Sequence, residues 1–128
     1  MTNHVLIVED EESILLSLEF LLGKEGYIVS TARDGAEALR LLQVQAPDLV
    51  LLDVMLPLID GFELCRRIRT MPALTATRIM MVTARGRDAE ITRGLALGAD
   101  AYLTKPFSTR ELMDKVRALL ATPRLAAD

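Results

Sequence analysis

The sequence predicts a doubly wound α/β domain, a five-stranded parallel sheet with helices on both faces. Three observations predict it. Five short apolar runs rich in Val, Ile, Leu and Met recur along the chain, each too short to be a helix. Between them lie segments with the apolar spacing of amphipathic helices. Strand and helix alternate strictly, and such alternation produces parallel strands joined by right-handed crossovers. With 128 residues the chain has room for one domain, and at that size about two thirds of the unfolded surface can be buried without disulfides or structural metal.

The first run, His4–Val8, is the first strand. Ile14, Leu15, Leu18, Leu21 and Leu22 then line one face of a helix that Gly23 or Gly26 can end. Tyr27–Ala32 is the second strand. Asp34 caps the next helix, Glu37 completes a capping box, Ala38, Leu39 and Leu42 face inward, and Pro47 stops it. Leu49–Leu52 follows as the third strand. Asp60-Gly-Phe-Glu63 repeats the capping pattern ahead of Leu64, Cys65 and Ile68, and Ile79–Thr83 is the fourth strand. The helix around Asp88–Leu97 carries an interior Gly94, which costs about 1 kcal/mol against Ala, so it is predicted to be the most mobile. Ala101–Thr104 is the fifth strand, and Ser108-Thr-Arg-Glu111 caps a last helix with Leu112, Val116, Leu119 and Leu120 on its inner face. The domain is expected to occupy 1–121, with 122–128 a short tail containing Pro123.

Fifteen Lys and Arg against 18 Asp and Glu leave a net charge of −3. That balance argues against a nucleic-acid binder, whose affinity rests on neutralising phosphates. The negative charge is local, because residues 1–23 hold five acids and no Lys or Arg. No run of about 18 apolar residues and no secretory signal is present, which predicts a soluble cytoplasmic protein with no membrane partner. The single Cys65 falls in phase with Leu64 and Ile68 and reads as a small buried hydrophobe. His4 reads as a surface residue, Arg66, Arg67 and Arg69 as a solvated helix face, and Met80 and Met81 as core filling.

In open parallel sheets, ligands bind beyond the carboxyl ends of the strands. There the sequence places Glu9 and Asp10 after the first strand, Asp53 after the third, Thr83 at the end of the fourth, and Lys105-Pro106 after the fifth. Three carboxylates in one crevice drive each other toward protonation unless opposite charge is supplied. Lys105 supplies one charge, and Mg²⁺ fits the remainder because it accepts one or two carboxylates and leaves room for a phosphoryl oxygen. Asp53, held by the sheet yet expected to be open to solvent, is the candidate nucleophile, since aspartyl phosphate is an established covalent intermediate. Thr83 and Lys105 would stabilise the phosphoryl oxygens. The plain alternatives are that Asp53 only caps a turn, that Thr83 is a strand former, and that Tyr102 is a packed aromatic with its hydroxyl at the surface.

Four segments together, Val5-Leu-Ile-Val-Glu-Asp-Glu-Glu12, Leu52-Asp-Val-Met-Leu-Pro-Leu-Ile-Asp-Gly61, Met81-Val-Thr-Ala84 and Gly98-Ala-Asp-Ala-Tyr-Leu-Thr-Lys-Pro-Phe107, resemble the receiver domain of two-component response regulators. The resemblance runs from His4 to about Leu120. It implies a flavodoxin-like fold with sheet order 2-1-3-4-5 and a phosphoryl group passed to Asp53 from the phosphohistidine of a sensor kinase or a histidine phosphotransfer protein. It further implies Mg²⁺ held by Asp10, Asp53 and the Met55 backbone carbonyl, with Glu9 acting through a water. Lys105 would pair with the phosphoryl group, Thr83 would move to hydrogen-bond it, and Tyr102 would turn into the space Thr83 vacates. The Lys105–Pro106 peptide bond is expected to be cis.

Glu9 stands where many receivers carry aspartate. Met55 and Arg85 occupy the two loop positions that modulate hydrolysis of the aspartyl phosphate in this family, and an apolar chain and a cation there predict slow self-dephosphorylation. The segments Thr83-Ala-Arg-Gly86 and Thr104-Lys-Pro-Phe-Ser-Thr-Arg-Glu-Leu112 resemble receivers of winged-helix transcription factors. Those dimerise through the fourth helix, fifth strand and fifth helix. Asp100, Glu111, Lys115 and Arg117 could supply cross-subunit charges, whereas Ile91 and Ala101 stand where that subfamily carries charged residues. Ile91 could equally mark a hydrophobic docking patch. The chain thus reads either as a stand-alone receiver or as the excised receiver of a longer DNA-binding regulator.

Three rival classes fit less well. An aspartate-nucleophile phosphohydrolase would carry its nucleophile in a D-x-D motif after the first strand, whereas here the isolated Asp is on the third. A flavin carrier of this topology needs a Ser/Thr/Gly-rich phosphate loop where this chain has Glu9-Asp-Glu-Glu12. A receiver-like module that is never phosphorylated would not need the complete set of site residues.

Overall fold

A computed structural model describes residues 2–84 and 87–123. In chain order it contains β1 (His4–Val8), α1 (Glu12–Lys24), β2 (Ile28–Ala32), α2 (Gly35–Leu42), β3 (Leu49–Asp53), α3 (Gly61–Arg69), a 3₁₀ turn at Pro72–Leu74, β4 (Arg78–Ala84), α4 (Asp88–Ala96), β5 (Ala101–Lys105) and α5 (Thr109–Ala121). The strands form one sheet, all neighbours parallel, in the order β2-β1-β3-β4-β5. The predicted fold class, order and alternation are therefore those observed. Strand ends shift by one residue. β2 opens at Ile28, while β3 and β5 each run one residue further, because Asp53 pairs with Val82 and Lys105 with Ala84 in the ladder.

The sheet divides the core in two. Leu6, Val8, Val50, Leu52, Ile79 and Met81 meet Ala38 and Leu42 of α2 and Phe62, Leu64, Cys65 and Ile68 of α3. On the other face, Val5, Ile7, Leu49, Leu51, Met80 and Leu103 meet Leu15, Leu18 and Leu22 of α1 and Leu112, Met113 and Val116 of α5. Both faces being covered explains why the central strands read as unbroken apolar runs.

The capping signals operate locally. Asp34 accepts a hydrogen bond from the Glu37 amide at 2.8 Å and Asp60 from the Glu63 amide at 2.9 Å, while Ser108 and Glu111 exchange both bonds of a capping box. Glu63 instead turns its carboxylate to Arg66 and Arg67, at 2.7 and 2.8 Å. Their hydrogen bonds hold its pKa down to about 2. α1 passes through Gly23, and Gly26, at φ 96°, turns the chain. The interior Gly94 has a packing reason, since a Cβ there would lie 3.3 Å from Met81 Cγ, so α4 lies close against the sheet.

Three sequence expectations need correcting. The turn at Pro72–Leu74 was not foreseen, although a proline opening a helical turn is its signal. Arg69 is not solvated like Arg66 and Arg67. Its guanidinium donates to Asp100 at 2.7 Å and to the carbonyls of Gly98 and Thr77 at 2.9 and 2.8 Å, fastening α3 to the start of β4 and the turn before β5. His4 is half-buried, with Nε2 2.8 Å from Ser30 Oγ, at the sheet end remote from Asp53. Cys65 is fully buried, as expected. Among the described residues, no helix is long and apolar enough to cross a membrane.

Candidate functional site

The parallel register brings the ends of β1, β3, β4 and β5 to one edge, and the three predicted acids and Lys105 meet there. One carboxylate oxygen from each of Glu9, Asp10 and Asp53 lies within 4.8 Å of the others. Lys105, the last residue of β5, bridges two of these acids, its Nζ donating to Glu9 at 3.1 Å and to Asp53 at 3.3 Å. Asp53 Oδ1 also accepts from the Met55 amide at 3.0 Å. These partners close over Asp53, leaving it 7% exposed, which corrects the expectation of a solvent-open carboxylate. Asp10 is exposed, so the crevice opens on its side.

Burial raises the pKa of Glu9, hydrogen bonding to Asp53 and its charge add to the rise, and the Glu11 amide and Lys105 oppose it, leaving a value of about 7. Burial pulls Lys105 down, but the hydrogen bonds and charges of Glu9 and Asp53 outweigh it and hold the ammonium above the usual lysine value. The site therefore carries excess negative charge that one lysine does not cancel. That is the environment in which a small, hard, oxygen-seeking cation is favoured.

The start of α3 fixes Asp53 from below. A Cβ on Gly61 would sit 2.4 Å from the Asp53 carbonyl oxygen and 2.8 Å from Val54 Cα, so the helix can approach only without a side chain there. Sequence reading used Gly61 merely as part of a capping pattern. The Lys105–Pro106 bond is cis. Next to Asp53, Met55 is 70% exposed, and Leu58 in the same loop adopts a left-handed φ of 69° with its side chain out in solvent.

Thr83 lies on β4, 2% exposed, and its Oγ1 has no hydrogen-bond partner among the described residues. An unpaired buried hydroxyl is costly and calls for an explanation. Tyr102 pairs with Met81 and, two residues on, Thr104 pairs with Thr83, so Tyr102 and Thr83 share a face of the sheet. The Tyr102 ring points outward, beside Lys115.

The remaining expected interface residues are occupied within the chain or only half-buried. Asp100 binds Arg69 and the Ile79 amide, the latter at 2.8 Å. Glu111 caps α5, and Arg117 pairs with Asp114 at 3.3 Å and Glu25 at 3.5 Å. Ile91 is half-buried on α4. Arg85 lies outside the described residues.

Comparison with known proteins bears on this site. The family described as response regulator receiver domain matches residues 5–117. The chain is 45% identical over 127 residues to the alkaline phosphatase synthesis transcriptional regulatory protein PhoP of Bacillus subtilis, covering 99% of this chain and 52% of that protein. It is 49% identical over 120 residues to the phosphate regulon transcriptional regulatory protein PhoB of Rhizobium meliloti, covering 94% and 53%. The chain thus spans about half the length of these relatives. Among solved structures, the chemotaxis response regulator CheY4 of Vibrio cholerae superposes with a TM-score of 0.88 at 33% identity, covering 93% of this chain and 99% of that one. The receiver domain of the sensor histidine kinase PA1611 from Pseudomonas aeruginosa, solved with a magnesium ion coordinated in its active-site cleft, superposes at 0.87 with 30% identity, covering 95% and 100%. By family match, by identity to regulators over nearly its whole length and by fold, this chain belongs to the response regulator receiver domains.

Proposed function

We propose that this chain accepts a phosphoryl group on Asp53 from the phosphohistidine of a sensor histidine kinase or a histidine phosphotransfer protein, and acts as a signalling switch rather than a metabolic enzyme. The observation that carries the reading is the pairing of a buried Asp53 with Lys105 and two further acids at the sheet's carboxyl edge. In the transfer, an Asp53 carboxylate oxygen bonds to phosphorus as the phosphorus–nitrogen bond breaks, and the imidazole leaves with that electron pair. Lys105 stays beside the acceptor and offsets the charge of the phosphoryl oxygens.

The residues fit Mg²⁺. Three carboxylates supply hard oxygen ligands, and Glu9 carries a raised pKa that positive charge would reverse. Asp10, Asp53 and the Met55 carbonyl would hold the ion, with Glu9 reaching it through a water. Bound there, Mg²⁺ supplies positive charge against the phosphoryl oxygens. The unpaired Thr83 hydroxyl has a donor to give a phosphoryl oxygen, and Tyr102 would follow it inward. Ile14 of α1, Lys105, Pro106 and Phe107 line an open apolar groove, a surface that suits an apolar segment of the phosphoryl donor. Met55, exposed over the site, would hinder the attacking water and make self-dephosphorylation slow, so Met55→Asn should shorten the phosphoryl lifetime. The likeness to transcriptional regulators twice its length favours a role in controlling a DNA-binding output.

Incubation with acetyl phosphate and Mg²⁺, followed by intact mass, tests the central step. Wild type should gain one phosphoryl group and Asp53→Asn none. An adduct that persists in Asp53→Asn, or none in wild type, overturns the reading.

A further inference from the structure

Tyr102 stands on β5, an edge strand of the sheet, and is 37% exposed. Lys115 of α5 reaches round that edge and engages the residue twice. Its Nζ donates to the Tyr102 carbonyl and lies 4.4 Å from the centroid of the ring. An ammonium over the face of a tyrosine ring is attracted by the ring quadrupole. The carboxylates nearest to it on α5 are engaged elsewhere, Glu111 in the helix cap and Asp114 with Arg110 and Arg117. The ring thus faces one cation, while among the described residues the buried Thr83 hydroxyl on the same sheet face has no hydrogen-bond partner.

We infer that Lys115 is a positioning residue that holds Tyr102 outward and sets how much occupancy of Asp53 is needed to turn the ring in. The inference rests on the reading that Tyr102 and Thr83 move together. Turning the ring inward breaks the ammonium–ring contact, so Lys115 favours the outward state. Removing the ammonium should favour the inward state by about two- to five-fold, the weight of one exposed cation–ring contact. Arginine, which stacks on aromatic rings equally well, should preserve the wild-type balance.

The chain has two tyrosines and no tryptophan, so 3-fluorotyrosine labelling yields two fluorine resonances, and Tyr27→Phe assigns them. The Tyr102 resonance is followed during titration with beryllofluoride, a phosphoryl mimic, in the presence of Mg²⁺. In Lys115→Met and Lys115→Gln the free-protein resonance should move toward its saturated position, and the half-saturating concentration should fall by about two- to five-fold. Lys115→Arg should follow wild type. Titrations of Lys115→Met and Lys115→Gln indistinguishable from wild type overturn the inference while leaving the switch reading intact. Equal displacement in Lys115→Arg overturns it too, because then the lesion is in α5 packing rather than in the cation. A wild-type Tyr102 resonance that ignores beryllofluoride defeats the switch reading itself and this inference with it.

Discussion

Replacing Glu9 should change how the stability of this domain responds to pH. Its side chain is 4% exposed beside the Asp53 carboxylate, and burial, reinforced by Asp53, raises its pKa from 4.5 to about 7. A carboxyl with a raised folded pKa binds its proton more tightly in the folded state. Its contribution is therefore complete below 4.5 and is lost as the pH rises through about 7. At about 1.36 kcal/mol per pH unit, that interval sets a ceiling of roughly 3 kcal/mol. Most of the change falls between about pH 5 and about pH 8, where roughly 2 kcal/mol should be lost. Glu9→Gln has a similar shape and no proton to lose. Urea unfolding of both proteins at those two pH values, with chelator present, should show wild type losing about 2 kcal/mol more than the variant. Saturating Mg²⁺ should shrink the wild-type loss, because the cation replaces the proton as the source of positive charge. Equal pH dependence in the two proteins would refute the reasoning.

Gly61→Ala forces a methyl group against the Asp53 and Val54 backbone; unfolding experiments should show a loss of roughly 1–3 kcal/mol, and phosphoryl uptake from acetyl phosphate should slow. Thr83→Val removes the unpaired buried hydroxyl and should raise stability by about 1 kcal/mol, yet the Tyr102 fluorine resonance should no longer respond to beryllofluoride. Asp100→Ala takes the carboxylate from both Arg69 and the Ile79 amide, so urea melts should show a cost of roughly 2–4 kcal/mol. Arg66→Ala, at an exposed pair, should barely shift the same melt.

The parts of the fold written in short-range patterns were legible. Asp34, Asp60 and Ser108 each announce a helix start within four residues, and their caps form where expected. The meeting of Glu9, Asp10, Asp53 and Lys105 was also legible, because polar residues ending the strands of a parallel sheet must share one edge. What stayed hidden depends on which atoms a side chain finds at a distance. Arg69 reads like Arg66 and Arg67, and only its place beside Ile68, at the inner margin of the helix, hinted at its turn toward Asp100. The partners of Asp100, Arg69 and the Ile79 amide, belong to other elements, and no local pattern names them. Gly94 looked like a weak point because its contact, Met81, belongs to a different element. The depth of Asp53 came from Glu9 and Lys105 folding over it, and no local pattern encodes that.

The Lys105–Glu9 contact spans 96 positions of the chain. A ribosome therefore delivers the acids of the site well before their compensating cation. Until β5 docks, Glu9, Asp10 and Asp53 lack the lysine that offsets their mutual repulsion. The assembled crevice is thus a report on completeness. On the proposed reading, a copy in which β5 has not docked lacks the lysine beside Asp53 and would be silent to a phosphoryl donor rather than partly responsive to it.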